Sequence, residues 1–374
     1  MRKELCYISL LLVIFTSCEQ VYQPDIETVN GQLVVEARIT NDLSKNFIHL
    51  TRTRSFYDKQ PPLEVSGAVL TLNEMGTMVT LRASESSPGY YTLNSVPEIG
   101  KRYFLRIGIL NDIYESAAVT MPPIPSITNF HTEHVVKKVY QNSVEGIPQA
   151  FDKPGRDFYV DLPVTNSLSY FRFDIKTVWE WHCDYIPNPV SEIPSIYGWY
   201  VFHDKAMFNL AGPKSFSQSN KIEKHSILNV SYNVLDYIYA DTLITKSDTL
   251  YAKGCILAID QYGTSKESFE YHEQLNSQFS AAGNLFDPIQ NQIHGNIICK
   301  TNALKVVYGF FDLNSYAPHR YFFNLSHPPE DFPMRQIYHY PELPDENGML
   351  IAQPVQGPPT ELPPPKSPPI WWVY

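Results

Sequence analysis

The sequence predicts a mainly β protein: an N-terminal immunoglobulin-like antiparallel β-sandwich, then a β-rich (α+β) domain with one main helix, then a proline-rich C-terminal strap. Three observations carry this expectation. Aromatic residues make up 13% of the chain, led by 25 Tyr and 20 Phe, and these side chains suit the pleated, half-buried surface of strands. The 30 Pro punctuate turns and interrupt helices. From residue 31 onward, short runs of β-forming residues alternate with turn signals at the spacing of a sandwich.

The chain opens with Arg2 and Lys3, an apolar run over 5–15, and then Thr16-Ser17-Cys18. This run is shorter than the roughly 20 residues a membrane helix needs, and small residues follow it, so 1–17 is expected to be a secretory signal that is removed. A cysteine directly after two small residues resembles the bacterial lipobox, although Phe15 stands where that motif prefers leucine. On that resemblance Cys18 becomes the N-terminus and is lipidated through its thiol, with a palmitate-type acyl group completing the anchor. An ordinary secretory signal with an incidental cysteine is the plainer alternative. Residues 18–30 then form a tether, kept extended and solvated by Pro24, Asp25 and Glu27.

The sandwich is expected over 31–125, with strands at 32–40, 47–54, 68–72, 77–82, 90–93, 102–109 and 113–120. Asn41-Asp42, Pro61-Pro62, Asn73-Glu74-Met75-Gly76, Pro88-Gly89, Glu98-Ile99-Gly100 and Asn111-Asp112 separate them. Period-two alternation sets Leu70 and Leu72 against Val69 and Thr71, and Tyr103, Leu105 and Ile107 against Arg102, Phe104 and Arg106. Met121-Pro122-Pro123-Ile124-Pro125 stops the last strand and stiffens a linker.

A second domain over 126–326 is less regular. Strands are expected at 168–182, 197–202, 226–232, 255–262, 305–312 and 320–324. A helix is expected near 265–282: Thr264-Ser265-Lys266-Glu267 fits a capping box, Phe269, His272, Leu275 and Phe279 recur at helical spacing, and Gly283 suits the C-cap. Residues 327–374 contain 13 of the 30 prolines and end in Ile370-Trp371-Trp372-Val373-Tyr374. Such a segment forms neither sheet interior nor helix, so it is expected to lie along the body as a strap with Trp371 or Trp372 in a pocket. A partner-binding tail anchored by the same tryptophans is the alternative.

Composition narrows the function. The formal charge is −10, and loss of Arg2, Lys3 and Glu4 with the signal leaves it near −11, which gives no electrostatic footprint for nucleic acid. Beyond Cys6 in the signal and Cys18, only Cys183, Cys255 and Cys299 remain, too few for a disulfide framework and without metal-ligand spacing; whether two of them pair is left open. His131-Thr132-Glu133-His134 places two histidines three apart but lacks a third ligand nearby. Trp181-His182-Cys183-Asp184 looks reactive on paper, yet strand neighbours point to opposite faces, so it cannot assemble all three groups. His272 and His294 read as core or loop residues. No nucleophile elbow, phosphate loop, dinucleotide fingerprint or EF-hand is present, and Asp345-Glu346-Asn347-Gly348 reads as a turn. No catalytic residue, metal ligand or cofactor is therefore assigned. Asp241-Thr242-Leu243 and Asp248-Thr249-Leu250 resemble the O-glycosylation acceptor of Bacteroidota, which marks Thr242 and Thr249; a polar hairpin is the simpler account.

Longer stretches carry a wider resemblance. The lipoprotein cysteine, Leu33-Val34-Val35-Glu36-Ala37-Arg38-Ile39-Thr40, Val65-Ser66-Gly67-Ala68-Val69-Leu70-Thr71-Leu72 and Pro88-Gly89-Tyr90-Tyr91 are followed by Gly100-Lys101-Arg102-Tyr103-Phe104-Leu105-Arg106 and Tyr114-Glu115-Ser116. Ile259-Asp260-Gln261-Tyr262, Leu285-Phe286-Asp287-Pro288, Gly295-Asn296-Ile297 and Val307-Tyr308-Gly309-Phe310-Phe311 come later in the same order. Together they resemble a family of Bacteroidota outer-membrane lipoproteins defined by a domain of unknown function, of the DUF4249 type. The resemblance implies a β-rich lipoprotein whose genes neighbour those of TonB-dependent outer-membrane receptors, and it carries over no site residue except Cys18. The expectation is a non-enzymatic accessory lipoprotein, tethered to the outer membrane and more at home on the cell surface than on the periplasmic face, that helps a TonB-dependent transporter capture an unknown cargo. An independent surface module for glycan or peptide is the alternative, and a hydrolase built from distant residues is the third reading.

Overall fold

A computed structural model describes residues 31–55, 58, 60–142, 148–184, 196–203, 208–213, 221–231, 249–280, 293–324 and 334–336. The fold is mainly β. The first unit contains β1 (Leu33–Ile39), β2 (Phe47–Arg52), β3 (Leu63–Glu64), β4 (Val69–Glu74), β5 (Thr80–Ser87), β6 (Tyr90–Leu93), β7 (Arg102–Ile109), β8 (Asp112–Ser116) and β9 (Val119–Thr120). The predicted alternation holds: Leu70, Leu72, Tyr103, Leu105 and Ile107 are buried, while Val69, Arg102 and Arg106 are exposed. The run expected over 113–120 is broken because the Ser116 hydroxyl accepts the Leu105 N–H at 2.9 Å, and the chain steps outward before β9 rejoins the start of β7.

Two further strands complete this unit from far along the chain. They are β17 (Ile297–Cys299) and β18 (Val307–Leu313), and the order is β17-β8-β7-β4-β5-β6-β2-β1-β18. Residues 80–82 of β5 pair with β4 and its later residues pair with β6, so this strand carries the sheet around a corner into a second layer. The two outer strands then meet each other. Asn296 closes the seam, its side chain donating to the Phe311 carbonyl and accepting from the Phe311 N–H, both at 2.8 Å. One core results, in which Leu33, Val35, Ile39, Ile48, Leu50, Leu72 and Ile107 pack with Ile297, Phe311 and Leu313. Each such side chain contributes about 1.5–3 kcal/mol by leaving water. The boundaries 31–125 and 126–326 are thereby corrected: the sandwich is not closed until 297–313 returns, because β1 needs a parallel neighbour and a parallel neighbour requires a long crossover.

The rest forms two sheets. One is β10 (Asn129–Asn142), β11 (Pro148–Pro163) and β15 (Lys221–Ser231). The other is β13 (Ile196–His203), β12 (Tyr170–Asp184), β16 (Thr249–Thr264), β19 (Ser315–Asn324) and β20 (Met334–Gln336), with β14 (Asn209–Ala211) beside β12. The hairpin β10–β11 was not expected. Most of β10 is exposed and polar, with His131, Glu133, Lys137 and Lys138, so it shows no apolar stripe, and Pro148, Pro154 and Pro163 disguise its partner. Its registered pairing over 14 positions supplies the order instead.

The helix α1 (Lys266–Ser280) lies where periodicity predicts one, with two corrections. Ser265 caps it rather than Thr264, accepting the Ser268 N–H at 3.1 Å, because Thr264 still belongs to β16. Phe279, expected on the packed face, is 66% exposed; the face is turned toward Ser268 and His272. Gly283 lies outside the described residues.

The two halves are stapled by ion pairs. Lys45, in the 3-10 turn Leu43–Lys45, reaches Asp260 on β16 at 2.6 Å, and Asp260 also receives Arg320 at 2.8 Å and the Tyr316 hydroxyl at 3.0 Å. Asn41 exchanges two hydrogen bonds with the Tyr316 backbone. Cys299 is buried and unpaired. On the β12–β16 ladder, Cys183 faces Leu250 while Cys255 faces Trp179. That offset is roughly 15 Å at about 3.3 Å per residue, twice the reach of a disulfide.

Candidate functional site

The inner faces of β1 and β18 fill the sandwich core, so their alternate residues must face outward. In the parallel register Glu36 stands opposite Phe310 and Arg38 opposite Asp312. Helix α1 and β12 cover this outer face, and between them lies a cavity of about 270 Å³. Its walls include Glu36, Arg38, Phe47, Arg172, Asp174, Tyr271, Phe310 and Asp312.

Its floor is a buried polar network. The Arg172 Nη1 donates to Asp312 at 3.0 Å and to His272 Nε2 at 3.2 Å, while the Ser268 hydroxyl donates to Asp312 at 2.6 Å. Burial opposes charge on both Arg172 and Asp312, but mutual attraction prevails: Asp312 is held below the ordinary carboxylate range and Arg172 is raised further. Arg172 also faces the Tyr262 ring at 4.8 Å, with Arg38 at 5.2 Å from the same ring and paired to Asp174 at 3.0 Å. Burial raises the Tyr262 phenol, so it stays neutral between two guanidinium groups. Tyr271 stacks on Phe310 at 4.5 Å to make an aromatic wall.

Ser268, His272 and Asp312 have the composition of a hydrolytic triad but not its order. The His272 Nδ1 donates to the Ser268 carbonyl at 2.8 Å, its Nε2 accepts from Arg172, and the serine hydroxyl points at the aspartate instead of the imidazole. Burial, chiefly, pushes the His272 pKa down. The Ser268 hydroxyl oxygen does lie 3.4 Å from Nδ1, but the proton on that nitrogen goes to the Ser268 carbonyl and the hydroxyl proton to Asp312, so in this arrangement the imidazole does not take the serine proton.

What the network leaves open is on Arg172. Its Nε and Nη2 groups are buried with no hydrogen-bond acceptor among the described residues, and the residue is only 5% exposed. Asp174 approaches Nε no closer than 3.9 Å. Buried guanidinium N–H groups without acceptors are costly, and these two are closed off from the cavity as well as from bulk water. The lining carries three carboxylates against two guanidinium groups, which suits a polar guest without strong net charge.

Of the residues singled out from the sequence, His272 lies at this site and the others named below do not. Cys18, Thr242, Trp371 and Trp372 lie outside the described residues, as does the segment Asp345-Glu346-Asn347-Gly348. Thr249 begins β16 opposite Asp184. His131 pairs with Asp161 at 2.7 Å and Glu133 with Lys224, and no cluster able to hold a metal occurs among the described residues. His272, taken for a core residue, is one, and it also lines the cavity. Arg172, Asp174, Asp312 and Glu36 were missed as site residues. Their signal is a charge set inside an apolar strand run, as in Phe171-Arg172-Phe173 and Phe310-Phe311-Asp312-Leu313.

A family model described as a domain of unknown function (DUF4249) matches residues 19–319, beginning at the residue after Cys18 and stopping before the proline-rich tail. No curated protein and no solved structure matches the chain.

Proposed function

The chain belongs to the DUF4249 family, and from that premise we propose that it is a lipid-anchored accessory protein of the outer membrane that captures cargo for a TonB-dependent transporter. One observation carries the capture role: the 270 Å³ junction cavity, which sets the charged groups of Arg38, Arg172 and Asp174 beside the aromatic pair Tyr271 and Phe310. A small polar guest would meet the charged lining with its polar groups and lay an apolar face on Tyr271 and Phe310. Cys18, as the lipid site, would keep that cavity near the membrane, on the cell-surface side. The test is purification of the lipidated chain in mild detergent; steady recovery of a β-barrel receptor supports the proposal, and repeated isolation of the chain alone sinks it. Changing Cys18 to Ser should release the protein into the soluble fraction.

The aromatic wall favours a second reading, an independent surface module for glycan or peptide. Binding by the body without any receptor, abolished by Tyr271→Ala, would select it over the transporter partnership. The hydrolase reading has no supporting observation in the Ser268, His272 and Asp312 arrangement.

A further inference from the structure

The sandwich has two unlike ends. At one, β1 begins at Leu33 beside Val307 of β18, and Gly31 is held by bonds to Thr53 and Arg52. The β7–β8 turn lies at this same end, because Cys299 of β17 pairs with Tyr114 and the loop that follows leads straight to Val307. Asp112 ties the two loops together by accepting from Thr301 at 3.2 Å and pairing with Lys305. The other end carries the β4–β5 turn, the linker after Thr120 and the contacts of Asn41 with Tyr316, so the second half of the molecule sits there.

Two leucines project from the first end. Leu110 is 101% exposed and Leu304 is 91% exposed, and Val69 at the start of β4 is 70% exposed beside them. Leu110 occupies the two-residue turn between Ile109 and Asp112 with φ +52. A bulky side chain in the left-handed region is uncommon and strained, and the turn would form more easily with Gly or Asn. Strain combined with complete exposure marks a residue kept for contact. Leu304 is fixed by its own turn, its N–H bonded to the Asn302 side chain at 3.0 Å. Lys300 and Lys305 flank it, partly balanced by Glu115 and Asp112.

We infer that this end of the sandwich rests on the lipid surface, with Leu110 and Leu304 seated at the headgroup–acyl boundary and the second half of the molecule held away from the membrane. The occupant is lipid because the tether leaves at this very end. Gly31 lies thirteen residue steps after Cys18, so the chain cannot hold Gly31, at this end of the sandwich, farther than about 45 Å from the anchor. Lysines flanking an apolar tip suit the interface, where their stems lie along acyl chains and their charges reach phosphate. This inference rests on the lipid at Cys18.

The test uses the full lipidated chain in phosphatidylcholine vesicles with and without brominated acyl chains. The variants are L110W, L304W and, as a control, M78W, since Met78 is 101% exposed on the β4–β5 turn at the opposite end. Emission added at 110 and 304 should fall by about half with brominated lipid, as expected for side chains several ångströms into the boundary, while that at 78 is unchanged. L304W suffices alone if the strained turn rejects tryptophan. A chain that floats with vesicles but shows equal quenching at 304 and 78 overturns the orientation while sparing the anchor. A chain that does not float overturns both.

Discussion

Replacing Gly309 by Ala probes the least expected part of the fold, the return of 295–313 into the sandwich. Gly309 sits in β18 with φ +88, opposite Val35 of β1, and a Cβ there would stand 2.0 Å from the Val35 carbonyl oxygen and 2.7 Å from its carbon. Two costs add. The backbone conformation alone disfavours alanine by about 1–2 kcal/mol. The clash is with backbone, so it cannot be relieved by a rotamer; β18 must shift away from β1, at about 1–3 kcal/mol for overpacking and about 1 kcal/mol for each ladder bond lost. A total of about 3–6 kcal/mol is a large fraction of a typical domain's stability. The comparison is Gly76→Ala, at φ +80 with nothing within 4 Å, which carries the conformational cost alone. Paired urea titrations should show Gly309→Ala destabilised by at least about 2 kcal/mol more than Gly76→Ala, the lower bound of the clash terms. Equal destabilisation of the two would refute the parallel β1–β18 pairing and, with it, the closed sandwich.

Acid should weaken the protein in two stages. Burial lowers His225 and His319 from 6.5 to about 4, Arg320 adding to the effect at His319. The unfolded chain therefore binds these protons first, and stability present above pH 6.5 is lost on the way down, by about 2 kcal/mol per histidine at pH 5. Asp260 and Asp312, both depressed despite burial, contribute stability that persists until the pH falls below the ordinary carboxylate range. Urea midpoints from pH 7.5 to 4.5 check the first stage; a flat profile, or one unaltered by His319→Gln, contradicts it. Asp260→Ala removes the carboxylate shared by Lys45 and Arg320 and should cost about 3–5 kcal/mol, whereas Asp58→Ala, which breaks an exposed pair with Arg54, should leave the urea midpoint almost unchanged. Finally, thiol titration of the denatured, unreduced mature chain should count three reactive groups, Cys183, Cys255 and Cys299; a count of one would mean that Cys183 and Cys255 are joined across a ladder offset of five residues.

Much of the first unit could be read from local pattern. Tyr90–Leu93 and Arg102–Ile109 fall where alternation and turn residues place them, and β1, β2 and β4 differ by a residue or two at their ends. The helix was legible because periodicity and an N-cap agree. The hairpin β10–β11 was not, since β10 is largely exposed and polar, and the apolar face of β11, Phe158, Val160 and Leu162, is confined to one end of a strand interrupted by prolines. Nor was the site: Arg172, Asp174 and Asp312 lie on strands separated by more than a hundred residues, and each looks like an isolated charge until β18 returns to β1.

By itself the sequence determined the class of the protein and the strand alternation that builds its core, and it supplied the expectation of an anchor at Cys18. These depend on neighbours along the chain, on periodicity and on turn chemistry, all of which are local. Only the tertiary structure decided that 297–313 closes the sandwich, and that closure turns the outer face of β1 and β18 toward Arg172 to form a cavity. Which strands meet is set by long-range burial and backbone pairing, and a charge becomes a site residue only when packing removes its water.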